Sequence, residues 1–339
     1  MSVRFGTCSW KFPSWVGLVY GQEYRYAAEY LSEYARHYET AEIDSWFYHL
    51  PSRKEAEQYR QAVPDTFRFT CKVPRDLTLT HLREGWGNPG GHGRGPGGRG
   101  ADSGGSGREA GGSGKKPDSR GRKPGGGGKK TGGSKKKTDS RGTETSGGVL
   151  EPNETFLSMP LFEQFLEAIE PLHGQLDAIM FQFEYLNKKK MGSAAEFMDT
   201  FGSFVEQLPP ELPIALEIRN GNYYGEDYFR FLQAAGIIPV LVEKQYMPPV
   251  TSVYEKYGEL FGDRLVLRLM GGDRKEIEEL SGGRWDRVLL EKDELLDIAG
   301  MIGDLAEDSE MTVNVNNHFE GSAPRTIARL RELLDNRGQ

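Results

Sequence analysis

The chain has 339 residues, 43 Lys plus Arg against 50 Asp plus Glu, and 37% apolar residues, a length that allows one large domain or two ordinary ones. No apolar run of about 18 residues occurs, which excludes an ordinary membrane-spanning helix, and the opening MSVRFGTCSW lacks the apolar region of a signal peptide. Two cysteines, Cys8 and Cys71, exclude a disulfide scaffold and lead to an expected cytoplasmic location, and no CxxC or HExxH spacing points to zinc.

In chain order, Arg4–Ser9 reads as a strand, followed by an aromatic loop with Trp10, Phe12, Trp15 and Tyr20. Glu29–Tyr38 has helical spacing. Thr40–Phe47 is a second strand with Glu42 and Asp44 on one parity, and a helix around Arg53–Ala62 follows. Phe67–Val73 is the third strand: Phe67, Phe69, Cys71 and Val73 share one face, and Arg68, Thr70 and Lys72 share the other. Pro74 ends it.

Residues 91–150 differ from everything else. They hold 22 of the 44 glycines, with 14 Lys or Arg against five Asp or Glu, so a net of +9 sits inside a remainder of −16. One imperfect repeat occurs there, KKPDSRG at Lys115–Gly121 and KKTDSRG at Lys136–Gly142. Such a composition has too little apolar surface to offset chain entropy, so the segment is expected to be a disordered insert. Its GRG steps and lysine clusters would suit RNA or DNA phosphates, with a solvated linker as the alternative.

Regular patterns resume at Met159–Glu170, a helix, then Ala178–Glu184, a strand, and Ala194–Gln207, a helix. Pro213–Asn220 (PIALEIRN) is a strand that is apolar on one parity and ends in Glu217 and Arg219. Asp227–Ala235 is helical, Ile238–Glu243 and Leu265–Met270 are strands, Asp293–Ala306 is a helix, and Thr312–His318 is the last strand. Pro324–Leu334 closes the chain as a helix, with Ser322 as the expected cap.

Eight strands alternating with helices form a parallel sheet covered by helices, either open or closed. Central strands of an open sheet meet helices on both faces and should be apolar on both. Here one parity stays polar on nearly every strand. The expected fold is therefore a (β/α)8 TIM barrel, residues 1–90 and 151–339 as one domain, with the long insert after strand 3.

The motifs GTCSWKFPSW, AEIDSWFYHLPS, FRFTCKVPRDLTLTH, FQF, EIRN and VNVNNHFEG, in that order, resemble the domain of unknown function 72 (YecE-like) family. The resemblance implies a TIM barrel and carries no established activity. By that resemblance the recurring polar positions are Glu42 and Asp44 (Asp where the family has Asn), Lys72, Thr80 and His81, Gln182, Glu217 and Arg219, and Asn316, Asn317 and His318. The chain departs from the pattern at Glu184 and Tyr185, where the family has a proline pair, at Met270, where it has His, and in the insert.

Parity places Glu42, Asp44, Lys72, Gln182, Glu217, Arg219, Arg268, Asn316 and His318 near the C-terminal mouth, where barrel enzymes keep their sites. Carboxylates beside cations can poise an acid and a base, with Glu42 or Glu217 in that role and Lys72, Arg219 and Arg268 on the negative charge. A structural ion-pair layer plugging the barrel is the competing reading. Gly271–Gly272 and Gly321–Ser322 follow the last two strands, a usual phosphate position, although turn glycines explain them as well. Trp10 and the other aromatics could stack on a ring, but packing of loops onto the rim is the commoner use. One His, His318, is too few for zinc, while carboxylate-bound Mg or Mn stays open.

The expected function is a hydrolase or lyase using carboxylate acid/base chemistry on a small anionic substrate. Phosphate-bearing compounds, including nucleotide- or nucleic-acid-derived ones, fit that expectation, and glycoside chemistry is a minor version. From another class, a noncatalytic binding module with the insert as nucleic-acid tether fits the same residues.

Overall fold

In the computed structural model of the chain, residues 3–83 and 150–337 are described. The strands β1 (Val3–Cys8), β2 (Thr40–Ile43), β3 (Arg68–Lys72), β4 (His81–Arg83), β5 (Leu150–Pro152), β6 (Leu176–Gln182), β7 (Ile214–Glu217), β8 (Ile238–Lys244), β9 (Arg264–Gly271) and β10 (Glu310–Val315) alternate with helices. These are α1 (Ala27–Tyr34), α2 (Arg53–Ala62), α3 (Met159–Ile169), α4 (Ala194–Val205), α5 (Glu226–Ala234), α6 (Val250–Tyr257), α7 (Arg274–Ser281), α8 (Leu295–Leu305) and α9 (Ala323–Arg337). Eight strands close in the order β1-β10-β9-β8-β7-β6-β3-β2, and β4 and β5 form a separate two-stranded sheet. All eight expected strands are in the ring, which is a (β/α)8 TIM barrel. No described helix is long and apolar enough to cross a membrane.

Strand parity divides the core. Outward residues such as Phe69, Phe181, Leu216, Leu241, Leu267 and Val313 join the helices in one large apolar cluster. A second, small cluster of Ala178, Met180, Ala215, Ile238, Val240 and Val266 fills part of the barrel interior. Polar layers lie towards both strand ends. At the N-terminal end Asp177 sits 3.4 Å from Arg4 and 3.8 Å from Arg68, and it accepts a bond from Thr312 at 3.0 Å. The interior that distinguishes a barrel from an open sheet is therefore charged at both ends, with the apolar cluster and a buried Thr70–Asn314 hydrogen bond between them.

Several element boundaries differ from those expected. The second strand stops at Ile43, and Ser45–Phe47 turns into a short 3-10 helix, so Asp44 stands at the strand exit rather than within it. The last strand ends at Val315, leaving Asn316 and His318 in a turn. Helices α6 and α7 are additional to the expected ones, and α7 (RKEIEELS) buries only Ile277 and Ser281. Ser322 does not cap α9 with its side chain; the Ala323 N–H donates to Asn317 Oδ1 at 2.9 Å, and the Ser322 hydroxyl has no partner. Asn317 reaches the orphan N–H from the preceding turn, which local spacing alone does not reveal. The expected disordered insert, residues 91–150, lies outside the described residues except for Leu150 at the start of β5. The chain on either side is held by Asn153, whose Nδ2 donates to Asp76 O at 2.7 Å and Leu79 O at 2.6 Å.

Gly6 on β1 is a point of close approach between neighbouring strands. A Cβ there would stand 2.1 Å from the Thr40 carbonyl oxygen of the neighbouring strand, a backbone atom that cannot give way without breaking the ladder. Gly6→Ala should therefore lower stability by about 3 kcal/mol, read from urea unfolding; a loss under about 1 kcal/mol would show that β1 and β2 separate freely.

Candidate functional site

The C-terminal mouth is built around Arg268, which lies on β9 at the register of Asn314 on β10 and Val242 on β8, and is fully buried. Its guanidinium meets Glu42 in a fork: Nε donates to Oε2 at 2.7 Å and Nη2 to Oε1 at 2.6 Å. Nη1 donates to Glu217 Oε2 and, at 3.3 Å, to Gln182 Oε1. Nη2 also faces Cys8 Sγ at 3.9 Å. A guanidinium has five N–H donors, and here there are five contacts. Glu42 and Glu217 are themselves fully buried, and Arg268 sits between them as their shared cation.

A second tier surrounds this centre. Lys72 Nζ lies 3.4 Å from Glu42 Oε1 and pairs more closely with Asp44, while the ring of Phe47 covers it at 5.5 Å. Arg219 Nη2 lies 2.6 Å from Glu217 Oε1 and donates to Gln182 Oε1 at 3.2 Å, so Gln182 bridges the two arginines. Three carboxylates (Glu42, Asp44, Glu217) thus face three cations (Lys72, Arg219, Arg268).

The titration of these groups follows from that balance. Burial raises the Glu217 carboxyl, but Arg219, Arg268 and Lys72 outweigh it and hold the acid below its usual range. Asp44 likewise is raised by burial and pulled lower by Lys72. Burial and Arg268 push the Lys72 ammonium down, and Asp44, Glu42 and Glu217 bring it above its usual value. Burial pushes the Cys8 thiol up, which keeps it protonated and unsuited to nucleophilic attack.

His318 sits farther out, in the turn after β10. Its Nδ1 is 2.5 Å from Asn316 Oδ1, its Nε2 is 3.2 Å from Glu278 Oε1 on α7, and Trp285 packs on the ring at 4.9 Å. Two oxygen acceptors suit the imidazolium. Burial, with Arg274 and Lys244 nearby, opposes it and leaves the ring below its ordinary pKa.

Lys244 ends β8, one residue beyond the strand expected at Ile238–Glu243, and is a site residue that the sequence pattern does not single out. It lies opposite Gly271 on β9, on the parity of Ile238 and Val240. It is half-buried, and its ammonium is depressed by burial and by Arg219, Arg268 and Arg274, against the pull of Glu217. None of the ion pairs among the described residues includes it. The signal in the chain is a lysine of inward parity just past an apolar strand, but spacing alone does not show where a strand stops.

Other expected site residues are placed differently. Trp10 is buried, with Nε1 donating to Ala27 O at 2.9 Å and its ring edge-on to Tyr59, which is the rim-packing use of an aromatic. His81 lies on β4, with Nδ1 3.0 Å from Thr80 Oγ1, and shares no contact with the Arg268 cluster among the described residues. Gly321 and Ser322 are buried, and the outer side of Gly321 is covered by Arg287 O and Leu289; the 287–290 segment also donates two N–H bonds to Glu320 O. That segment lies against the position expected for a phosphate at the α9 N-terminus. Gly271 (φ +82°) is required by contact with the His318 carbonyl oxygen, 2.2 Å from where a Cβ would be. Among the described residues no group of three His, Cys, Asp or Glu could hold a metal, and the two central carboxylates already neutralise Arg268. A groove of about 600 Å³ between α6, α8 and α9 is lined by Tyr254, Asp297, Asp304 and Arg337, among others, and by no residue of the mouth.

A closed (β/α)8 ring with a buried ion network at the C-terminal ends of its strands defines the class of protein. The model of the family described as Protein of unknown function DUF72 matches residues 4–339, and the chain belongs to that family. Its fold is similar to that of a DUF72 family protein from Enterococcus faecalis V583, with a TM-score of 0.59 and 17% identity over 98% of this chain and 95% of that one. It is also similar to a DUF72 family protein from Thermotoga maritima MSB8, with a TM-score of 0.57 and 16% identity over 98% and 99% of the two chains. At that identity the likeness speaks for the fold. No curated protein matches the chain.

Two stability outcomes follow from the network. Arg268→Met should cost about 3–5 kcal/mol in urea unfolding, because it removes the cation shared by two buried carboxylates and leaves each with a single partner, Lys72 for Glu42 and Arg219 for Glu217. Glu217 has a depressed folded pKa, so its contribution is present above the unfolded carboxylate range and is lost as pH falls through the folded value. Glu217→Gln should accordingly flatten the acid limb of the stability–pH curve; an unchanged acid limb would show that Glu217 is not held by its cations.

Proposed function

We propose that the mouth is the active site of a hydrolase or lyase that takes a small anionic, phosphate- or carboxylate-bearing substrate. One observation carries this reading: beyond a layer in which three carboxylates already match three cations, Lys244 has no carboxylate within ion-pair distance among the described residues, and Arg219 Nη1 has no hydrogen-bond partner. Unmatched positive charge at the mouth of a low-dielectric barrel is completed by an anion. Arg274, exposed on α7 and bound to Glu278, is felt at Asp44, Lys244 and His318 and adds to the same field.

In this reading the roles are divided by what each group is free to do. Lys244 and Arg219 hold the anion, and Arg268 and Lys72 set the charge beneath it. Glu42 or Glu217 is the acid/base expected from the sequence; both are engaged by Arg268, and the Glu217 carboxyl is held below its usual range, which does not suit a proton donor. His318 is the proton carrier in this reading: its ring is half-buried, meets Asn316 at Nδ1 and Glu278 at Nε2, and is lowered towards the neutral form. Asp44, at the strand exit and partly exposed, remains the accessible carboxylate.

Sulfate titration by calorimetry tests the anion. Lys244→Ala and Arg219→Ala should each weaken binding about tenfold, the loss of a charge-assisted bond. For the wild type, affinity should fall as pH is raised from neutral, earlier than for an ordinary lysine, because the depressed Lys244 loses its charge first. Equal sulfate affinity in all three proteins would remove the reading. Once a substrate is found, His318→Ala should reduce turnover by about 10²–10⁴ while leaving binding intact; binding without any turnover would instead favour the noncatalytic module. The basic segment at 91–150 is proposed to carry nucleic-acid contact separately, so its deletion should abolish salt-sensitive retention of RNA or DNA without changing sulfate affinity.

A further inference from the structure

We infer that the substrate of this mouth is a carbonyl compound bearing an anionic group, and that Lys244 Nζ attacks its carbonyl carbon to form an imine. The inference rests on the anion-binding reading and sharpens it to one residue and one class of substrate. Four placements support it. Lys244 ends β8, on the parity that carries Ile238 and Val240 into the barrel. The groups that act on it electrostatically come from three neighbouring elements: Glu217 and Arg219 at the end of β7, Arg268 on β9, and Arg274 on α7. It is half-buried and so reachable, unlike Lys72, which is buried and bound to two carboxylates. No ion pair among the described residues holds it. A half-buried amine at an inward position of the strand end, paired with no carboxylate among the described residues, is the arrangement that favours the neutral, nucleophilic form.

The step balances without an oxidant or a reductant. The Lys244 ammonium gives up a proton, the nitrogen lone pair bonds to the carbonyl carbon, and the C=O π pair moves to oxygen, which takes a proton. The carbinolamine then expels that oxygen as water, and the nitrogen keeps one positive charge as an iminium. Ammonium plus carbonyl thus becomes iminium plus water. His318, whose carbonyl oxygen packs against Gly271 opposite Lys244, is assigned to accept the first proton and return one to the departing oxygen. Arg219 and Arg274 would hold the carboxylate or phosphate of the substrate while the carbonyl faces Nζ.

Borohydride reduction converts such an imine into a stable secondary amine that a peptide map can locate. The full chain is incubated separately with pyruvate, glyoxylate and pyridoxal 5′-phosphate, then reduced. Lys244 should be labelled about tenfold faster than the exposed Lys275, and inorganic phosphate should slow only the Lys244 reaction. Lys244→Arg, which has no amine able to form the imine, should lose the adduct, and His318→Asn should slow adduct formation. Labelling spread evenly over the lysines, or absent at Lys244 while phosphate still binds, would overturn the imine and leave the anion site standing. Loss of both phosphate protection and sulfate binding would remove the anion site itself. The wild-type peptide map decides between these outcomes even if a variant fails to fold.

Discussion

The barrel depends on one guanidinium. Arg268 lies where eight strands converge, with no exposure to solvent, and its N–H donors meet oxygens and a sulfur supplied by four different strands. Glu42 comes from β2, Glu217 from β7, Gln182 from β6 and Cys8 from β1. A desolvated ion pair adds little net stability compared with well-packed apolar side chains, but losing one partner is costly. The cluster therefore constrains more than it stabilises: strands that slipped in register would strand a carboxylate in the interior. Only a closed ring brings these four strands around one centre.

The same constraint explains how the interior is layered. Below Arg268, apolar Met180, Ala215, Val240 and Val266 fill one side of the ring, and Thr70 and Asn314 are bonded to each other across the other at 2.9 Å. At the opposite end Asp177 stands between Arg4 and Arg68, with the Arg264 guanidinium on its carbonyl oxygen at 2.5 Å. There the cations reach the rim and remain partly exposed, whereas Arg268 does not. The two charged ends differ accordingly: one is an ordinary solvated closure, and the other is a dry network with further cations at its edge. Glu42, Glu217 and Arg268 form the buried centre, and Lys72 and Arg219 pair with its carboxylates from the edge.

Much of this is legible in the chain. Period-two polarity identifies the inward face of each strand, and Glu42, Lys72, Gln182, Glu217, Arg219 and Arg268 do gather at one place because side chains two residues apart must share a face. The eight strands are legible for the same reason. Helix α7 is not, because its charged face gives no apolar stripe and one isoleucine anchors it. Trp10, Gly321 and Ser322 follow strand ends and so sit at candidate site positions in the chain, yet a strand end says nothing about which loop folds over it.

The sequence by itself determined the alternation of elements, the inward and outward parities, and the concentration of ionisable groups towards one end of the strands, since these depend on local geometry repeating along the chain. Tertiary structure decided which charges are spent on one another and which are left over. Glu42 and Arg268 are 226 residues apart, and Lys244 lies between them in sequence with no carboxylate paired to it among the described residues. Pairing of that kind depends on how strands from distant segments are ordered around the ring, and no spacing within a single segment encodes it.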